Sequence, residues 1–200
     1  MKLYFSPTSP FVRKVMVAAH ERGVAHRIEL TGPQVAAPGS LRSDNPLEKV
    51  PTLVLDDGRR LFDSFVIVEW LNSCGSGPNL IPADARERSD VLRRHALADG
   101  IMEAAVSSVM ERRRPEERQW DGFLAHQRGK IERAIASLDR EADAFAGTVD
   151  LSTIAVGAAL GYVSFRLADL DWRTGHGSLE RWFAEFSQRP SMTSTEPHDP

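Results

Sequence analysis

The chain has 200 residues, of which 42% are hydrophobic and 26% charged, and its formal net charge is −3. That is enough apolar material for one large domain or two small ones, and it excludes the basic excess of a nucleic-acid binder. A single cysteine, Cys74, excludes an internal disulfide. No stretch approaches the roughly 18 consecutive apolar residues of a membrane span. The first residues do not read as a signal peptide, so the cytoplasm is the expected location. Arg112, Arg113 and Arg114 are surrounded by Glu111, Glu116 and Glu117 and read as a solvated helix end.

Residues 2–5 form a short apolar strand, and Ser6 to Pro10 is turn chemistry. Pro10 suits a first helical position, and Val12, Val15, Met16 and Ala19 then mark one apolar helix face up to Gly23. Val24 to Leu30 is a second strand. Thr31 to Asn45 is loop with one helical turn at most. Pro51 to Leu55 is a third strand, Asp57-Gly58 a tight turn, and Arg60 to Phe62 a fourth strand. Asp63 and Ser64 open an amphipathic helix carrying Phe65, Val68 and Leu71. The order β-α-β then β-β-α predicts a four-stranded mixed sheet with a right-handed crossover.

Gly75-Ser76-Gly77-Pro78 breaks this pattern, and beyond Asp84 only helices are expected. One runs from Ala85 to Arg113 and is closed by Pro115; another runs from Glu116 to Phe145. Ile154 to Leu167 is apolar on nearly every side and marks the buried centre of an all-helical domain. Leu179 to Ser187 is a last short helix, and the tail from Arg189 is polar and expected to be loose. The domains are therefore expected at 1–75 and 84–200.

Three short motifs carry chemistry, all at ends of sheet elements. Ser9 caps a helix whose N-terminus carries open N–H groups and a positive dipole end; a thiol placed there loses its proton more readily, though a cap alone is the commoner role. In Asn45-Pro46-Leu47-Glu48-Lys49-Val50-Pro51 a cis Val50-Pro51 bond leaves the Val50 backbone free to pair with a peptide ligand; a trans proline on an edge strand is the other possibility. Asp63 and Ser64 offer an acceptor for an ammonium group and donors for a carboxylate, or simply cap their helix.

Together, the Ser-Pro-Phe-x-Arg-Lys start, the Asn-Pro-x-x-Lys-Val-Pro-x-Leu block and the Asp-Ser helix start resemble the cytosolic glutathione transferases in order and spacing. The likeness covers essentially the whole chain, and Leu97-Ala98-Asp99-Gly100-Ile101-Met102 resembles a bacterial branch of that family. It implies an α/β thioredoxin-like N-terminal domain, an all-α C-terminal domain and a homodimer packed through the helix after Ser64. It implies glutathione as co-substrate and a small hydrophobic electrophile as partner, with a role in detoxification. Ser9 is implied to stabilise the glutathione thiolate without being a nucleophile. Val50, ahead of a cis Pro51, is implied to pair with the cysteinyl backbone, Asp63 and Ser64 to hold the γ-glutamyl end, and Lys49 to reach the glycyl carboxylate. The pocket for the second substrate is expected at the groove between domains, with Asp99, Met102, Glu103 and Val106 on one side of the long helix.

Two departures stand out. Most members have glutamate where this chain has Asp63. Where the family has a Ser-x-x-Asp capping box, this chain has Asp150-Leu151-Ser152-Thr153, so the reciprocal bond from an acidic third residue is expected to be gone. The six histidines show no metal-ligand spacing, and no metal, nucleic acid or membrane is expected. A binding protein that keeps the fold without the chemistry, and an enzyme using glutathione for isomerisation, dehalogenation or peroxide reduction, are the alternatives.

Overall fold

The computed structural model describes residues 1–32 and 36–199. The chain forms two units, residues 1–81 together with 190–200, and residues 82–189.

The first unit is built on four strands: β1 (Lys2–Tyr4), β2 (Glu29–Thr31), β3 (Thr52–Val54) and β4 (Arg60–Leu61), in the order β2-β1-β3-β4. β1 runs parallel to β2 and antiparallel to β3, which is antiparallel to β4. Helices α1 (Pro10–Glu21), α2 (Ser40–Asp44) and α3 (Ser64–Cys74) complete the frame. Strand alternation puts Leu3 and Leu53, both without exposed surface, on one face. Lys2, Tyr4 and Thr52 lie on the other. There the Tyr4 hydroxyl donates to Asp44 of α2 at 2.8 Å and accepts from Lys2 Nζ at 3.0 Å. The second strand is shorter than expected because Ala25–Arg27 closes into a 3-10 turn. The Thr31–Asn45 expectation falls partly on residues 33–35, outside the described residues; its helical turn is α2.

Linker residues Gly75 and Gly77 are pressed against the end of α1. The Arg22 guanidinium donates to both of their carbonyl oxygens, and a Cβ at Gly77 would overlap the Glu21 carbonyl oxygen. The tail is not loose. Pro190–Thr193 forms a turn of helix, α8, in which Met192 has no exposed surface. Arg13 of α1 donates to the Met192 carbonyl at 3.1 Å, and the Ser191 hydroxyl donates to Glu21 at 2.5 Å. Residues from Pro190 onward thus group with the first unit, whereas the second domain was expected to continue through them.

The second unit contains α4 (Ala85–Arg112), α5 (Asp121–Asp139), α6 (Leu151–Arg166) and α7 (Gly177–Phe186). Twelve of the sixteen residues of α6 are buried, as an all-round apolar helix requires, and it packs on α4. The expected helix from Glu116 to Phe145 is instead a 3-10 turn at Glu116–Arg118, α5, and a second 3-10 turn at Ala142–Phe145. Polar groups from elsewhere set those breaks. Gln119 Nε2 donates to the carbonyls of Arg112 and Arg114 at 3.2 and 2.9 Å, and the Trp120 N–H donates to Glu111 at 2.9 Å. At the far end the Glu141 carboxylate is held by Arg93 and Arg94 at 2.6 and 2.8 Å. The capping box before α6 is present, contrary to expectation. Thr153 donates its N–H to Asp150 Oδ1 at 2.9 Å, while its hydroxyl oxygen accepts the Asp150 N–H at 2.9 Å. A hydroxyl does here what the family's carboxylate does. Among the described residues no helix is long and apolar enough to cross a membrane.

Candidate functional site

Strand directions bring the three motifs to one end of the sheet. The C-terminal end of β1, the N-terminal end of β3 and the C-terminal end of β4 coincide, because β3 is antiparallel to both neighbours. The pairs Tyr4↔Thr52 and Leu53↔Leu61 continue outward to the β1–α1 turn, to Val50-Pro51 and to Asp63. Since β1 and β4 run the same way, α1 and α3 both begin at this end, and they pack against each other. Two positive helix ends therefore flank the start of β3, an arrangement that favours anionic groups.

At the first helix end the Ser9 Oγ accepts the Val12 N–H at 3.3 Å, so its own proton remains available to donate. The Ser9 carbonyl takes the Arg13 N–H at 3.0 Å and the Ser9 N–H goes to Ser6 O at 3.1 Å. Pro10 has no N–H. That leaves the Phe11 N–H without a partner among the described residues. One turn on, Arg13 is buried, and burial pushes its guanidinium down to about 10, which leaves it a cation at neutral pH. The Tyr4 phenol is engaged with Asp44, on the face of the sheet away from Leu3 and Leu53.

The Val50-Pro51 bond is cis, the first of the two alternatives posed by the sequence. Val50 is half-buried, and neither its N–H nor its C=O bonds to another described residue. Lys49 is exposed. Asn45 and Thr52, to which the sequence assigns no role, tie this loop together through the Asn45 amide and the Thr52 hydroxyl; the Asn-Pro turn signature is the local signal for Asn45 alone.

At the second helix end Asp63 is the N-cap of α3, its Oδ1 accepting the Phe65 N–H at 3.0 Å. One carboxylate oxygen is thus used internally, leaving the other for a ligand. Ser64 is 2% exposed, and its hydroxyl makes no hydrogen bond with another described residue. A nearly buried hydroxyl open at a helix N-terminus matches an external carboxylate.

The four positions assigned to a second substrate all lie on α4. Asp99 is half-buried and its carboxylate lies 3.2 Å from Nε2 of buried His95. Glu103 is exposed and Val106 half-buried, but Met102 has no exposed surface and packs as core. None of the four lines either of two recesses in the helical unit, one of about 110 Å³ lined in part by Arg112, Arg128 and Asp169 and a larger one of about 440 Å³ lined in part by Trp172 and His176. Among the described residues no group of three or more His, Cys, Asp or Glu side chains is placed to hold a metal ion.

Residues 8–74 match the family model described as "Glutathione S-transferase, N-terminal domain". Along its length the chain is 37% identical to the uncharacterized GST-like protein YibF of Escherichia coli K12, covering 98% of each. Over 41% of the chain it is 35% identical to a stringent starvation protein A homolog of Pasteurella multocida, covering 38% of that protein. A glutathione transferase family member of Pseudomonas fluorescens Pf-5 with bound glutathione has a similar structure, with a TM-score of 0.94, 44% identity and 99% of each chain covered. The same family member with bound S-(propanoic acid)-glutathione gives a TM-score of 0.91 over 100% of each chain.

Proposed function

Because the chain belongs to the glutathione transferase family, we propose that it binds glutathione at the shared end of β1, β3 and β4 and activates its thiol for attack on a hydrophobic electrophile. The observation that carries this reading is the convergence of two helix N-termini on the open Val50 backbone. Glutathione is a short peptide with two carboxylates, one ammonium group and one thiol, and each finds a matching group there. The Val50 N–H and C=O pair with the cysteinyl residue as an added strand would, beside Pro51. The Ser64 hydroxyl and N–H take the γ-glutamyl carboxylate. The free oxygen of Asp63 takes the ammonium group, at shorter reach than a glutamate would have. Lys49 reaches the glycyl carboxylate.

In this reading the thiol lies over the N-terminus of α1. The dipole, the Ser9 hydroxyl proton and the Phe11 N–H favour the thiolate, so the thiol ionises below its ordinary value of about 8.5. Its sulfur then forms a bond to an electrophilic carbon, and the leaving group departs with its electron pair. Ser9 donates a hydrogen bond and forms no bond to carbon. The helical unit chooses the electrophile, and among the positions assigned to it Asp99, Glu103 and Val106 keep exposed surface whereas Met102 does not. The exposed apolar residues Leu47 and Val66 support a homodimer through α3. A detoxifying role in the cytoplasm completes the reading.

Calorimetric titration with reduced glutathione, with thiolate absorbance followed across pH, tests the proposal. Binding with a thiol pKa well below about 8.5 supports it. Binding without a shift leaves a glutathione-holding protein, and no binding leaves a scaffold without this chemistry. Ser9→Ala raises the bound thiol pKa by about one unit or more with affinity nearly kept, and Ser64→Ala lowers affinity about tenfold with the pKa nearly kept. Equal loss of affinity in both, with no change in ionisation, would sink this division of roles.

A further inference from the structure

The loop that presents Val50 is closed by a buried polar network. Asn45 is 1% exposed and Thr52 has no exposed surface. The Asn45 Nδ2 donates to the Lys49 carbonyl at 3.2 Å and to Thr52 Oγ1 at 2.9 Å, while its Oδ1 accepts the Leu47 N–H at 2.9 Å. The Thr52 hydroxyl donates its own hydrogen bond to the same Lys49 carbonyl at 2.8 Å. A second turn bond joins the Glu48 N–H to the Asn45 carbonyl at 2.9 Å, and Glu48 takes a left-handed backbone with φ 51°.

One assignment of donors satisfies the Asn45 and Thr52 side chains. Thr52 Oγ1 gives its only proton to Lys49 and must accept from Asn45, so the amide nitrogen of Asn45 faces Thr52 and its oxygen faces Leu47. Both lone pairs of the Lys49 carbonyl are then occupied. Val50, the next residue, is left with its N–H and C=O unpaired among the described residues, ahead of a strand whose register is fixed against β1. The network holds the chain on both sides of Val50, fixing the Lys49 carbonyl before it and the Thr52 side chain after it.

We propose that Asn45 and Thr52 are positioning residues that hold the Val50 backbone ready for the central residue of the bound peptide. This rests on the reading above that Val50 meets glutathione. Neither side chain touches the ligand. Both are placed beneath the presenting residue, where the ordering of residues 45–52 is met in folding and not at binding. Losing either raises the cost of ordering the loop at the moment of binding. The thiolate is untouched, because Ser9 and the N-terminus of α1 belong to another element.

The experiment is calorimetric titration of reduced glutathione into the wild-type protein, Asn45→Asp, Thr52→Val and Thr52→Ser, with bound-thiol pKa and thermal midpoint measured on each. Asn45→Asp keeps the shape but removes both amide donors and sets a carboxylate oxygen against the Lys49 carbonyl. Thr52→Val keeps the volume without the hydroxyl, and Thr52→Ser keeps the hydroxyl. The expected result is a Kd raised about tenfold in Asn45→Asp and Thr52→Val, the scale of one net hydrogen bond, with an unchanged thiol pKa and near wild-type affinity in Thr52→Ser. A folded Thr52→Val that binds within about twofold of wild type overturns the inference, even if its thermal midpoint falls. A shifted thiol pKa in Thr52→Val overturns it too. If Asn45→Asp does not fold, the two Thr52 variants decide. A wild-type protein that does not bind glutathione overturns the functional reading itself, and this inference with it.

Discussion

Thr153 has no exposed surface, and its side chain and N–H serve the start of α6 in both directions. Thr153→Ala leaves the Asp150 N–H buried without its acceptor and is expected to destabilise the fold by about 1–2 kcal/mol. Thr153→Ser should restore most of that loss; urea unfolding of the three proteins checks it, and equal midpoints would remove the hydroxyl from the account. A glycine matters for a different reason at the end of α1. With the Glu21 carbonyl oxygen where a Cβ would sit, Gly77→Ala must push apart the linker and the helix end. A cost of about 1–3 kcal/mol is expected, read from the same unfolding curves.

The join between α4 and the 3-10 turn after α5 depends on charge. Arg93 and Arg94 hold the Glu141 carboxylate at about 2, well below the usual carboxylate range, with the Arg93 hydrogen bonds the larger cause. A depressed acid contributes stability that is complete above its unfolded pKa and lost as pH falls toward the folded one. The contribution is therefore present above about pH 4.5 and fades down to about pH 2. Glu141→Gln should cost about 1 kcal/mol at neutral pH, the screened value for a largely solvated cluster, and almost nothing near pH 2. A variant whose deficit stays constant across that range would show that the carboxylate charge is not the cause.

Elements whose ends are set locally were legible in the sequence. The Asp57-Gly58 turn, with Gly58 at φ 85°, and the Asp63 cap before α3 needed only neighbouring residues to be read. The start of α5 depends on Gln119 and Trp120 bonding back to α4, and its end on Glu141 meeting two arginines 47 and 48 positions away. No window of periodicity contains those partners. The candidate site divides the same way. Ser9, Val50, Asp63 and Ser64 stood out as caps and proline turns, whereas the work of Asn45 is visible only once Lys49 and Thr52 are folded onto it. Met102 looked available because helical spacing gives a side of α4, but not which part of that side is covered.

At the scale of the molecule the first unit is discontinuous in sequence, since residues from Pro190 onward complete it. Met192 is a buried side chain there, and its carbonyl accepts a hydrogen bond from Arg13 Nη2, while the Arg13 Nε has no partner among the described residues. A chain stopped at Arg189 exposes the surface that Met192 covers and takes from the Arg13 guanidinium its bond to the Met192 carbonyl. About 2–4 kcal/mol should be lost from the first unit, measured by hydrogen exchange of α1 amides, while α6 amides keep their protection. Equal loss in both units would show that the tail stabilises the whole chain rather than α1. Val66→Glu should shift the protein toward monomer in light scattering without altering the unfolding midpoint of the isolated protomer, if α3 carries the homodimer contact.

Ribosomes make this chain from its N-terminus, and residues 82–189 must emerge between the two parts of the first unit. The strands β1 to β4 and helix α1 are therefore synthesised early but wait, with the surface beneath Met192 uncovered, until the helical unit has been made. Helix α1 spends that interval without the bonds that Arg13 and Glu21 make to the tail. A nascent chain arrested anywhere in the helical unit is the species to which a chaperone or protease has access, and a codon change that slows translation between α4 and α7 lengthens that exposure without altering a single residue of the finished protein.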